Sequence, residues 1–82
     1  MIKLHQDLYE KADGELLMID TLEEYDFENE NLIIEFLKDY HNASDAQVAR
    51  FKKNRVIMLP AETYKNSVGI TIRPFFEFRR ED

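Results

Sequence analysis

Cysteine is absent from this 82-residue chain, and it holds only two glycines, two prolines and two histidines. The missing thiols rule out disulfide frameworks, thiolate nucleophiles and Cys-based zinc sites together. A secreted domain this small usually needs such a staple, so a cytoplasmic protein is expected. Scarce glycine and proline argue against a linker or low-complexity chain, and no internal repeat is visible. The longest uninterrupted apolar runs are four residues, far short of a membrane span. The segment Met1 to Asp7 has no apolar signal core.

Catalytic apparatus is equally thin. His5 and His41 are the only imidazoles available to activate a nucleophile. No Ser-Gly elbow, glycine-rich phosphate loop or paired-His motif occurs. His41, beside Asp39 and Tyr40, reads as a helix terminus favoured by the dipole rather than a general base. The run Asp26-x-Glu28-x-Glu30 imitates the start of a calcium loop. Its sixth position is Asn31 where the tight turn needs Gly, and its twelfth is Leu37 where a bidentate Glu belongs. A protein with no enzymatic activity, no metal and no cofactor is therefore expected.

What is present suits one small globular domain spanning residues 1–82. Hydrophobic residues make up 44% of the chain, with six phenylalanines and four tyrosines, which argues against global disorder. The net charge of −6 is uneven: residues 1–40 carry a balance of −9 and residues 41–82 a balance of +3. Such a division suits two binding faces, self-association between unlike faces, or solubility alone.

Hydrophobic spacing predicts an α+β fold in ββααββ order, a small antiparallel sheet with two helices packed on one face. The main helix runs from Asn31 to Tyr40. Leu32, Ile33, Phe36, Leu37 and Tyr40 fall on one side and Glu30, Glu35, Lys38 and Asp39 on the other. Asn31 can cap it, and His41-Asn42 can end it. Imperfect alternation over Ile2 to Ala12 suggests a strand, with Leu4, Leu8 and Ala12 offering a competing helical reading. Asp13-Gly14 suits a type I′ hairpin turn, and Glu15 to Ile19 reads as the return strand. This pairing sets Glu10 opposite Leu17 and Leu8 opposite Ile19, with Leu4, Leu8, Leu17 and Ile19 on one face. Thr21 and Glu24 fit a capping box, implying a helical turn before the main helix. Ser44-Asp45-Ala46-Gln47 opens a second helix, Ala46 to Lys53, with Val48 and Phe51 inward. Arg55 to Leu59 reads as a strand stopped by Pro60, and 61–67 as a loop. Val68, Ile70, Ile72, Phe76 and Phe78 alternate along a last strand from Val68 to Phe78. Pro74 within it calls for an edge or a bulge.

Three groups of side chains are candidate sites. The first is acidic: Asp20, Glu23, Glu24, Asp26, Glu28 and Glu30, extended by Glu35 and Asp39. Crowded carboxylates repel one another, so an anionic face that meets a basic surface on a protein partner is one reading, as in proteins that imitate nucleic-acid phosphate. A solvated face is the other. The second is basic: Arg50, Lys52, Lys53, Arg55, Lys65, Arg73, Arg79 and Arg80. Arg73 and Arg79 share a strand face with Phe75, a pattern that can stack bases between phosphate contacts. The third is Phe75 itself. Alternation sends it to the face opposite Phe76 and Phe78, where it either packs under a loop, turns inward at a Pro74 bulge, or anchors a partner or a second copy. An edge strand ending Phe-Phe-Glu-Phe would also suit a homodimer.

The composition is similar to that of small acidic phage and mobile-element proteins. The leading expectation is a protein-binding inhibitor or regulator using the acidic stretch with Arg73, Phe75 and Arg79. The alternative is a nucleic-acid-binding accessory protein using the basic C-terminal strand.

Overall fold

The N-terminal segment is extended from Ile2 to Ala12 (β1), which settles the strand against the helix. A computed structural model describes residues 1–12 and 14–82, so the first residue of the Asp13-Gly14 turn lies outside the described part. Gly14 has φ +80°, a conformation that L side chains rarely adopt. The return strand β2 runs from Glu15 to Phe27, 13 residues rather than the five expected. The helical turn anticipated from Thr21 and Glu24 does not form, because this stretch pairs along β1 instead.

Two helices follow. α1 spans Glu30–His41; its N-cap is Asn29, not Asn31, and Asn29 Oδ1 accepts from the Leu32 amide at 3.1 Å. Asn42 ends it in the left-handed region at φ 54°. α2 spans Asp45–Asn54 and begins with the expected cap. Ser44 Oγ accepts from Gln47 N–H at 3.2 Å, and Gln47 Oε1 accepts from Ser44 N–H at 2.8 Å. β3 is Val56–Pro60, β4 is the two-residue strand Tyr64–Lys65, and β5 is Thr71–Glu81.

The sheet is antiparallel in the order β2-β1-β5-β3, with β4 also pairing β5. Four sequence expectations change here. The segment 61–67 includes β4 instead of being loop throughout. Val68 and Ile70 lie outside β5, in a turn built on Asn66, whose Oδ1 accepts from the amides of both. β5 is an interior strand, so Phe75 to Phe78 cannot pair edge-to-edge with a second copy. Pro74 sits in register opposite Glu10 without a bulge. Its carbonyl accepts from Ala61 N–H at 3.0 Å, so its backbone points to the side where 61–63 separate β3 from β4. The missing proline donor falls at that gap.

Register assigns the faces. On the helix-covered side lie Leu4, Gln6, Phe76, Phe78, Ile57 and Leu59. They join Ile33, Leu37, Val48 and Phe51 in one core. Tyr25, Phe27 and Phe36 close one flank with ring centroids 5.0–6.2 Å apart. The α1 stripe is shifted from its expected position. Ile33 and Leu37 are fully buried, while Leu32 and Tyr40 are exposed and Ile34 packs in their place. Glu30, expected outside, ion-pairs with Arg80 of β5. Glu10 faces Leu17 as expected, but Leu8 faces Asp20, because Ile19 is an extra residue in the ladder. Leu22 is a second such residue.

The shape is elongated, 44 × 23 × 20 Å. Both helices cover the end of the sheet where β1 begins. The β1–β2 turn and the 66–70 turn lie at the far end, and there Leu16, Leu17, Met18, Ile19, Val68 and Ile70 are all exposed. A buried head and an apolar far end are the two consequences for function.

Candidate functional site

β2 is the outer strand of the sheet, and every residue from Glu15 to Glu24 is exposed. The two extra residues in its ladder divide the acidic stretch between faces. Asp20 and Glu23 oppose Leu8 and Gln6 on the helix-covered side, whereas Glu24 and Asp26 oppose His5 and Lys3 on the other. The acids therefore form a rim along a sheet edge instead of one flat face. Glu28 continues the rim into the turn before α1, while Glu35 and Asp39 are exposed on α1 itself. Glu30 is drawn away from it by Arg80.

Ion pairing sorts the rim further. Glu24 Oε1 is 3.1 Å from His5 Nδ1, and Glu24 Oε2 is 3.6 Å from Lys3 Nζ. His5 Nε2 lies 2.5 Å from Glu81 Oε2, so this buried ring joins the carboxylates of β2 and β5 across β1. Arg80 holds both Glu30 and Asp82, and those bonds keep its guanidinium firmly charged and Asp82 below the usual carboxylate range. Arg55 also reaches Asp82. Among the described residues, Asp20, Glu23, Asp26 and Glu28 have no ion-pair partner. Glu23 sits near Tyr25, whose phenol is raised first by burial and then by that carboxylate.

The helix-free face of the sheet gathers the other candidates. Phe75 points there, half-buried, and stands directly opposite Tyr9 on β1. Together with Lys11, Gly14, Leu16 and Met58 it lines a groove of about 350 Å³. Arg73 and Arg79 lie on the same face, as alternation implied. Arg80 turns to the helix side, so the basic residues do not form one stripe. Glu77 stands between the two arginines, 3.9 Å from Arg79, and faces the buried Asp7 across the ladder. Tyr9 is raised by burial, with Glu77 and Asp7 adding to the shift. Arg50, Lys52 and Lys53 are exposed on α2, away from this face, and Lys65 is exposed on β4.

His41 sits among rings, with centroids 4.7 Å from Phe78, 5.2 Å from Phe36 and 5.5 Å from Phe76. Burial lowers its pKa below the ordinary value. Sequence reasoning found Phe75 but missed Tyr9, because their adjacency follows from the β1–β5 register and from no local pattern. Among the described residues no group of three or more carboxylates and imidazoles is arranged to hold a metal ion. No helix in the described residues is long and apolar enough to cross a membrane. No protein family, curated protein or solved structure matches this chain.

Proposed function

We propose that this protein is a non-enzymatic binding module that inhibits or regulates a protein partner by occupying a basic surface on it. The observation that carries this reading is the rim of Asp20, Glu23, Asp26 and Glu28. These acids stand along an exposed sheet edge without ion-pair partners, although the chain has bases enough to neutralise much of its charge. Mutual repulsion among them costs stability, and a cationic partner removes that cost. A surface built to accept nucleic-acid phosphate has the matching chemistry. A thiol-free chain suits the reducing cytoplasm.

The test is affinity capture from a native lysate, with and without nuclease, read by mass spectrometry. One stoichiometric protein should survive nuclease treatment with the wild-type chain. Capture should be lost when Asp20, Glu23 and Asp26 are changed to Lys, and kept when Glu35 and Asp39 are. Capture that survives the first set of changes sinks the proposal.

A second reading rests on Tyr9 and Phe75, which stand opposite one another on neighbouring strands with Arg73 and Arg79 on the same face. Single-stranded nucleic acid would stack there and place its phosphates against the arginines. Glu77 and Asp7 in the middle of that face oppose it, and so this reading ranks second. Recovery that disappears with nuclease and with Arg73→Ala and Arg79→Ala would promote it. A steep loss of affinity with salt would be its signature.

A further inference from the structure

The acidic rim leaves one part of β2 unaccounted for. From Asp20 onward the outer strand is guarded against pairing by carboxylates and by the extra residues at Ile19 and Leu22. The segment Leu16 to Met18 has neither guard. It pairs with Lys11, Glu10 and Tyr9 in unbroken register on its inner side and has no strand on its outer side. Leu16, Leu17, Met18 and Ile19 are 44–58% exposed. Leu16 and Met18 project on the helix-free face and Leu17 on the other. A helix or a flat surface laid on the sheet would cover one of these sets and leave the other wet. An added strand covers both, because its own side chains alternate between the two faces.

We propose that the occupant of this edge is the same segment of a second copy of the chain, paired antiparallel about a two-fold axis at Leu17. This register sets Leu17 against its own mate on the helix-covered side, Leu16 against Met18 on the helix-free side, and Glu15 against Ile19. Each pair lies on a common face, and no carboxylate opposes a carboxylate. Pairing ends where the extra residue at Ile19 turns the strand away. The acids from Asp20 onward then run out past the partner copy's turn, free to meet another molecule. A basic strand from a different protein would be drawn to those acids and gain little from Leu16 to Ile19, which carry no charge. The contact is isologous and closed, joining two sheets into one. This inference does not depend on the function proposed above, since it leaves the acidic rim unoccupied.

The chain has no cysteine, so single-cysteine variants test the register directly. The experiment combines sedimentation equilibrium on the full chain with oxidation of Leu17→Cys. Tyr40→Cys, 77% exposed on α1, is the control. A concentration-dependent dimer is expected, with Leu17→Lys weakening it at least about tenfold, and Leu17→Cys forming a disulfide-linked dimer well ahead of Tyr40→Cys. Met18→Lys carries the same expectation from the opposite face, so the test stands if Leu17→Lys does not fold. A chain that stays monomeric up to about 0.5 mM, a dimer indifferent to both lysines, or equal cross-linking at positions 17 and 40 would overturn the proposal.

Discussion

Leu37 and Leu17 are the same residue in two apolar patterns, and the fold assigns them opposite energetic roles. Leu37 is fully buried between α1 and the sheet, while Leu17 is 51% exposed at the far end. Removing the Leu37 side chain beyond Cβ forfeits its transfer free energy and leaves a cavity in the core it shares with Ile33, Phe51 and Phe78. Leu37→Ala should therefore cost about 3–4 kcal/mol. Leu17→Ala loses at most half of the transfer contribution and leaves no cavity, because solvent already reaches the site. It should cost about 1 kcal/mol or less. A domain of this size has about 5–10 kcal/mol in all, so the first change removes a large share of it. The assay is urea and thermal unfolding followed by circular dichroism at low micromolar protein, where self-association through β2 contributes little. The Leu37 variant should melt roughly 12 °C or more below wild type, the Leu17 variant within a few degrees. A Leu17→Ala loss of about 2 kcal/mol or more would show that the hairpin end is packed, and would remove the basis for treating it as a contact surface.

Three further outcomes follow from the same geometry. His41 has a folded pKa below its unfolded one, so the unfolded chain takes up its proton first as pH falls. Stability should be full above about pH 6.5 and decline below it, ahead of carboxylate protonation. Urea midpoints at pH 7.5, 6.5 and 5.5 should show this for wild type but not for His41→Gln; parallel declines would refute it. Gly14→Ala should cost about 1 kcal/mol by urea unfolding from positive φ alone, because nothing lies within 4 Å of the added Cβ. A neutral change would show that the turn relaxes. Arg80→Met should cost about 1–3 kcal/mol, since it leaves the carboxylates of Glu30 and Asp82 without their shared donor. Equal stability of variant and wild type across a salt series would mean that the α1–β5 tie is incidental.

The parts of the fold that were legible in the sequence are the ones governed by near neighbours. Ser44 and Gln47 announce α2 because a capping box is a four-residue device, and Glu10 meets Leu17 because a short turn fixes the nearest pairs. Legibility ended where a distant partner decides. Thr21 and Glu24 have capping-box spacing, yet 20–27 is extended because β1 offers a ladder along its whole length. The residues added at Ile19 and Leu22 break the alternation that would have revealed it. Val68 and Ile70 continue the alternation of β5, but the Asn66 side chain takes their amides and makes a turn. In the candidate sites, the acids were visible as a run, whereas their division into paired and unpaired members depends on Lys3, His5 and Arg80, which come from other strands. Tyr9 against Phe75 was hidden for the same reason.

The sequence divides charge into an acidic first half and a basic second half, but the fold does not simply set one half beside the other. β5 brings the basic C-terminal strand into the middle of the sheet, where Arg80 and Arg79 meet carboxylates and lose most of their reach. Arg50, Lys52 and Lys53 stay outside on α2, which packs through Val48 and Phe51 beside Ile57 and Leu59 of β3, the edge of the sheet opposite β2. Unmatched acids thus line one edge while unmatched bases flank the other. The separation across the strands β2-β1-β5-β3, about 14 Å at roughly 4.8 Å per step, exceeds the screening length of about 8 Å at physiological salt, so each edge acts as its own pole. An approaching cationic surface is turned toward β2 before any contact forms. That orientation acts on the rate of association more than on the lifetime of the complex.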